Sequence, residues 1–144
     1  MLAEALRRGG YVAVVIGSNA ERALGTAIRE VCPEAVDLVG RTDIESVAAL
    51  AQRAALTIGN DTGVTHLAAA ADCPIVVLFS GASDPAWCAP RGRMVRVLAA
   101  PSLDELEVEQ VLAEAVKIIE QRPPAEKHAL REAASDARAI GASR

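Results

Sequence analysis

The groups best placed for chemistry lie in one run, Asn60-Asp61-Thr62-Gly63-Val64-Thr65-His66-Leu67-Ala68-Ala69-Ala70. An apolar stretch, Ala55-Leu56-Thr57-Ile58, leads into it, and an alanine-rich helical pattern leads out. A strand that stops at a small polar turn and restarts as a helix leaves backbone N–H groups unpaired at the helix start. Those groups, with the positive end of the helix dipole, attract phosphate or carboxylate. Gly63 removes the side chain where a diphosphate would come closest. Asp61 is a poor phosphate ligand but a good acceptor for sugar hydroxyls. Thr62 and Thr65 offer hydroxyls, and His66 falls one turn after Thr62 on the same helical face. The plainer alternative is that Asp61 or Thr62 only caps the helix, with His66 a partly buried helix residue.

The elements that would hold this turn follow from periodicity. Leu2 to Arg8 reads as a helix end stopped by Gly9-Gly10. Tyr11 to Ile16 is a continuous apolar run, as expected of a strand covered on both faces, and it ends in Gly17-Ser18-Asn19. Glu21 to Val31 carries Leu24, Ala27, Ile28 and Val31 on one helical face. A short strand, Val36 to Gly40, precedes a helix that Thr42 and Glu45 would open as a capping box, with Ile44, Val47, Ala48 and Ala51 inward. The strand Ala55 to Ile58 then reaches the central turn, whose helix is expected to bury Val64, Leu67, Ala68 and Ala71. Pro74 to Phe79 reads as a fully apolar strand, Ser80 to Gly92 as irregular, and Met94 to Leu98 as an edge strand. Ser102 and Glu105 form a second capping box, for a helix with Val108, Val111, Leu112, Ala115, Ile118 and Ile119 on its apolar face.

Strand and helix patterns thus alternate with short connections, which predicts an α/β fold: a Rossmann-like, three-layer parallel sheet with helices on both sides. Ligands of such sheets collect beyond the carboxyl ends of the strands. Gly17-Ser18-Asn19, Gly40-Arg41-Thr42, Asn60 to Gly63 and Ser80-Gly81-Ala82-Ser83 all fall at such ends, so the four loops are expected to share one rim. The chain opens on a helix with no strand before it, whereas a doubly wound domain opens with a strand and its binding loop. The expectation is a domain lacking its first strand, over residues 1–121, followed by a helical or disordered tail over 122–144. The tail has Leu130, Ala133, Ala134 and Ala137 as a narrow apolar stripe.

Composition narrows the function. With 144 residues, 51% hydrophobic but only 2% aromatic, the core must be built from Ala, Val, Leu and Ile, which suits helices packed closely on a parallel sheet. A net charge of -4 without a basic cluster argues against nucleic acid as a partner. Cys32, Cys73 and Cys88 form no C-x-x-C pair, the pattern of a reduced, cytoplasmic protein. The longest apolar runs are too short to cross a bilayer, and no signal peptide opens the chain.

The run Asn60-Asp61-Thr62-Gly63-x-x-His66-Leu67-Ala68-Ala69-Ala70, followed by Pro74 to Phe79 and then Asp84-Pro85, resembles glycosyltransferase family 9, the heptosyltransferases of lipopolysaccharide core assembly. Tyr11 to Ile16 with Gly17 and Glu21, and Leu38-x-Gly40-x-Thr42, add to the likeness. It covers residues 1 to about 121, corresponding to most of the family's C-terminal, donor-binding domain.

The resemblance implies a GT-B enzyme in which two Rossmann-like domains face one cleft, with inversion at the anomeric centre, no essential metal and no cofactor. The donor would be a nucleotide-diphosphate sugar, typically ADP-heptose. The acceptor would be lipid-linked or lipopolysaccharide, held by the missing N-terminal domain. The enzyme would be cytoplasmic, at most peripheral on the inner membrane. By the same resemblance, Asp61 accepts hydroxyls of the donor sugar, while Thr62 and Gly63 donate amides, and Thr62 its hydroxyl, to the diphosphate. Glu21, beyond Gly17, reaches the ribose, Thr42 lines the adenine pocket, Ser83 belongs to the donor-side loops, and His66 is structural or phosphate-proximal. The general base is expected in the missing domain, so no catalytic residue is assigned in this chain and the chain alone is expected to be inactive. The loop Phe79 to Ser83 is one residue longer than the family's usual Phe-Gly-Pro-Thr, and Trp87 follows it, either packing or stacking on a base or sugar, with packing the commoner role of a lone Trp.

Other readings compete. A free-standing nucleotide-diphosphate-binding module would share the fold without chemistry, and sugar-nucleotide epimerases use the same fold. A receiver domain with Asp61 as phosphoacceptor would need an acidic pair after the first strand and a lysine after Pro74's strand, and neither is there.

Overall fold

A computed structural model of the chain describes residues 1–121. The expected tail stripe of Leu130, Ala133, Ala134 and Ala137 lies outside them. The fold is α/β, with every strand pairing parallel. Among the described residues the backbone divides into two units, 1–43 and 44–121. Strand pairing follows the same division, as a two-stranded sheet β1-β2 and a three-stranded sheet β3-β4-β5.

In the first unit, α1 (Leu2–Arg8) has its acid, Glu4, in the first turn and Arg7 and Arg8 in the last, as the helix dipole favours. Both arginines close onto Glu4, with Nε of each at 2.7 and 3.1 Å from its carboxylate. β1 is only Val14–Val15, much shorter than the apolar run from Tyr11 to Ile16, and it pairs with β2 (Val36–Asp37). Val12, Val14 and Val36 are exposed, so the expectation of a strand covered on both faces fails for this pair.

The helix after β1 also differs from its periodicity. A 3-10 turn, Asn19–Glu21, comes first, and α2 follows over Arg22–Val31. Leu24 and Val31, expected inward, are 62% and 51% exposed, and the buried position is Gly25. A Cβ at Gly25 would come within 3.0 Å of Asp37 Oδ1 and Val39 Cγ2, so α2 rests on β2 by its smallest residue. That close approach turns the inward face to Gly25, Ile28 and Cys32, about one residue round from the Leu24 stripe.

In the second unit, α3 is Ile44–Arg53, so Asp43 rather than Thr42 flanks it and the expected Thr42–Glu45 capping box is not the helix start. Val47 and Ala51 are buried as expected, whereas Ile44 is exposed. β3 is Thr57–Asn60, β4 Ile75–Phe79 and β5 Val95–Ala99. β4 lies between the other two, with Asn60 opposite Leu78 and Phe79 opposite Ala99. Ile75, Val76, Val77 and Phe79 are all fully buried, confirming a strand covered on both faces. Each such side chain contributes about 1.5–3 kcal/mol of hydrophobic stabilisation. β5 pairs only with β4 among the described residues, the edge position its sequence suggested.

α4 (Gly63–Ala70) follows β3 and packs on β3, β4 and α3. Ala51, Ala68, Ala69, Cys73 and Ile75 form the core there. α4 buries Thr65, Ala68 and Ala69, while Val64, Leu67 and Ala71 are only half-buried, so its inward face is also rotated from the expected one. Between β4 and β5, the stretch read as irregular contains one turn of helix, α5 (Pro85–Cys88), capped by Asp84, whose carboxylate accepts from the Ala86 amide at 2.8 Å. Ser102 caps a 3-10 turn, Leu103–Glu105, instead of the long helix. That helix, α6 (Val108–Glu120), starts later behind a capping box of Glu107 and Gln110, and it buries Val111, Ala115 and Ile118.

Candidate functional site

The turn between β3 and α4 is built from the residues that the spacing singled out. Thr62 is the N-cap residue with extended backbone, and its side chain makes no capping bond. Its carbonyl accepts from the amides of Thr65 and His66 at 3.1 and 3.2 Å. The amides of Gly63 and Val64, one step earlier, find no acceptor among the described residues, as the start of an α-helix dictates. A Cβ on Gly63 would meet nothing within 4 Å, so the turn is open at that residue. Two N–H groups at the positive end of a helix dipole, at a residue without a side chain, are a place for an anion.

Asp61 stands beside them. Its Oδ1 lies 3.4 Å from His66 Nε2, and the Asp61 side chain is 20% exposed against 48% for His66. His66 therefore borders the carboxylate, which keeps lone pairs for hydroxyl donors. Thr65 departs from the expectation that its hydroxyl is on offer. It is 1% exposed and donates to the carbonyl of Asn60 at 2.6 Å. Sequence reasoning had Thr65 as one hydroxyl among two, and nothing in the pattern distinguished the buried one.

Ser83 lies in the loop that leaves the carboxyl end of β4, the strand next to β3, so it shares that edge of the sheet with Asp61. Its amide reaches back to the Ser80 carbonyl at 3.5 Å. Trp87, on α5 beyond this loop, is 88% exposed, which overturns the reading of it as a packing residue.

In the first unit, Gly17 and Glu21 are brought together, since a Cβ on Gly17 would lie 3.0 Å from Glu21 Oε2. The same oxygen accepts from the Ser18 amide at 2.7 Å and the Ser18 hydroxyl at 2.8 Å. These bonds, the amide first, hold the Glu21 carboxyl below the usual carboxylate range. The Gly40 amide donates to the Gly17 carbonyl at 2.8 Å, which ties the loop after β2 to the loop after β1. Gly40 has φ +69, and a Cβ there would collide with the Asn19 side-chain oxygen, so only glycine fits. Thr42, two residues on, is half-buried.

Among the described residues, Glu4, Cys32 and Glu34 offer three atoms within 4.8 Å of one another that a metal ion could use. Arg7 and Arg8 already neutralise Glu4, whose carboxyl their hydrogen bonds draw down to about 2, and Arg7 also faces Glu34 at 3.8 Å. Two guanidiniums at the cluster favour an ion-pair network over a cation. Among the described residues no helix is long and apolar enough to cross a membrane.

Comparison with known proteins agrees with the motif. The sequence model of "Glycosyltransferase family 9 (heptosyltransferase)" matches residues 1–115. The chain is 32% identical over 94 residues to lipooligosaccharide heptosyltransferase 2 of Haemophilus influenzae, covering 62% of this chain and 27% of that protein. It is likewise 32% identical over 102 residues to lipopolysaccharide heptosyltransferase 2 of Salmonella typhimurium, covering 67% and 29%. The chain therefore spans under a third of the length of the curated relatives it matches. Among solved structures, the ADP-heptose lps heptosyltransferase II of E. coli superposes with a TM-score of 0.76 at 26% identity, over 83% of this chain and 40% of that one. The glycosyl transferase family 9 protein of Veillonella parvula shares the fold, with a TM-score of 0.78 at 23% identity over 84% and 40%.

Proposed function

Because the chain belongs to glycosyltransferase family 9, we propose that it is the donor-binding part of an inverting, metal-independent sugar transferase of lipopolysaccharide synthesis, with ADP-heptose as donor. The open amides of Gly63 and Val64 beside the Asp61 carboxylate carry this reading. The leaving group of the transfer is a nucleoside diphosphate, and pre-arranged N–H donors stabilise the charge that develops on it as the glycosidic bond lengthens. Asp61 holds hydroxyls of the sugar while its anomeric carbon takes on oxocarbenium character. The family resemblance assigns Gly17, Glu21 and Thr42 to nucleoside recognition, and within the first unit one oxygen of Glu21 is held by Ser18. The acceptor and the general base come from the other domain, and the whole enzyme works in the cytoplasm, at the inner membrane face.

Calorimetric titration of the chain with ADP and ADP-heptose tests the reading. Saturable binding of both, weakened at least about tenfold by Asp61→Ala for the sugar nucleotide, is the expected result. Absence of any nucleotide binding would remove the proposal. Binding that ignores Asp61 would leave a plain nucleotide-diphosphate module.

A further inference from the structure

A parallel sheet is normally covered on both faces. Among the described residues, the sheet of the first unit is covered on one. Its register sets Val15 beside Asp37, and α2 lies on that side, since a Cβ on Gly25 would come within 3.0 Å of Asp37 Oδ1 and Val39 Cγ2. The same register sets Val14 beside Val36, and strand alternation points these two to the opposite side. Val14 is 44% exposed and Val36 43%, and Val12, two residues before Val14, is 38% exposed. Three β-branched side chains thus form an open apolar patch, about 7 Å long from Val12 to Val14 and about 5 Å across to Val36.

A matching surface is written in the sequence beyond Gln121. Leu130, Ala133, Ala134 and Ala137 recur at the spacing of one helical face, while Arg131, Glu132, Ser135 and Asp136 fall on the other. On a helix the stripe from Leu130 to Ala137 measures about 10 Å, enough to overlie the three valines. Its small residues permit the close approach to a sheet that Gly25 gives α2. Pro123-Pro124 separates the stripe from α6, and the chain from Gln121 to Leu130 can span about 30 Å when extended, so the stripe is not tied to the end of that helix. The family model stops at residue 115, so the motif assigns this segment no role.

We propose that residues 126–140 form a helix that lays its Leu130-Ala133-Ala134-Ala137 stripe on the Val12-Val14-Val36 patch and completes the cover of the first unit's sheet. Two apolar surfaces of one chain then remove each other from water, and the gain grows with the area covered. The segment acts as a built-in cover that keeps this face from pairing with a second copy.

Thermal melting of the full chain tests the contact through Val14→Lys and Leu130→Glu. Each change alone should lower the melting temperature by about 3 °C or more, because it places a charge under the cover. The two together should recover at least about half of the summed loss, since lysine and glutamate then meet across the contact. Methyl NOEs from Val14 or Val36 to Ala133 or Ala137 should appear in the wild-type chain at a concentration where sedimentation gives a monomer. A Val14→Lys or a Leu130→Glu chain that melts with wild type would overturn the proposal, and so would losses that simply add in a chain lacking those NOEs. A dimer that Val14→Lys dissociates and Leu130→Glu leaves intact would assign the face to a second copy, and would overturn it as well.

Discussion

His66 Nε2 approaches Asp61 Oδ1 at 3.4 Å, from one turn inside α4 back to the residue that precedes its N-cap. The pair joins the first turn of the helix to the carboxylate expected to hold the sugar. Because His66 is half exposed, the contact contributes little to folding, at most about 1 kcal/mol. Its effect should fall on ligand orientation. His66→Ala is expected to leave the melting temperature nearly unchanged and to weaken ADP-heptose binding about three- to fivefold, with ADP affected less. Calorimetry and thermal melts of the same two proteins check both halves.

Gly63→Ala should separate stability from binding in the opposite sense. Gly63 lies in a helix, outside the left-handed region, and a Cβ there touches nothing. The free chain should be as stable as wild type or more stable, by up to about 1 kcal/mol, because alanine loses less backbone entropy on folding. The new methyl takes up open space at the turn where the diphosphate is proposed to bind, so ADP affinity should drop by about tenfold or more. Denaturant unfolding and calorimetry read the two effects separately.

Acid should loosen the first unit through two carboxyls whose folded values lie below the ordinary 4.5, Glu4 at about 2 by its bonds to Arg7 and Arg8, and Glu21 by its bonds to Ser18. A depressed carboxyl contributes stability that is present above its unfolded value and is lost as pH falls through the folded one. Stability is therefore expected to fall from about pH 4.5 downward, continuing toward pH 2 for Glu4. Carboxyl NMR titration should show both groups staying ionised to lower pH than an ordinary glutamate. Glu4→Gln should flatten the stability profile across that window. A steep profile surviving in Glu4→Gln and Glu21→Gln together would contradict the assignment.

Core and surface should respond unequally to substitution at two large apolar residues. Phe79 is fully buried at the end of β4, and Phe79→Ala should cost about 3–5 kcal/mol. Leu24 reads as core in the periodicity of α2 but is mostly exposed, so Leu24→Lys should change stability by less than about 0.5 kcal/mol. Chemical denaturation of both variants decides the point.

What the sequence by itself determined is whatever depends on local order along the chain. The α/β class, the buried run Ile75 to Phe79, the apolar face of α6 and the strand-turn-helix at Asp61 all followed from periodicity, because burial on one face leaves a repeat that reads directly. The motif Asp61-Thr62-Gly63-x-x-His66 identified the family for the same reason: a ligand turn needs its residue types at adjacent positions. Tertiary contact decided how each element is rotated and where it starts. α2 rests on Gly25 and leaves Leu24 in solvent, since closeness to Asp37 and Val39 outweighed the apolar stripe. Strand β3 runs on to Asn60 because its partner β4 continues alongside as far as Leu78, which pattern alone could not reveal. The two threonines of the turn look alike in sequence. Only the fold buries one hydroxyl against the Asn60 carbonyl and exposes the other, because the direction of a proton depends on what lies opposite it in space.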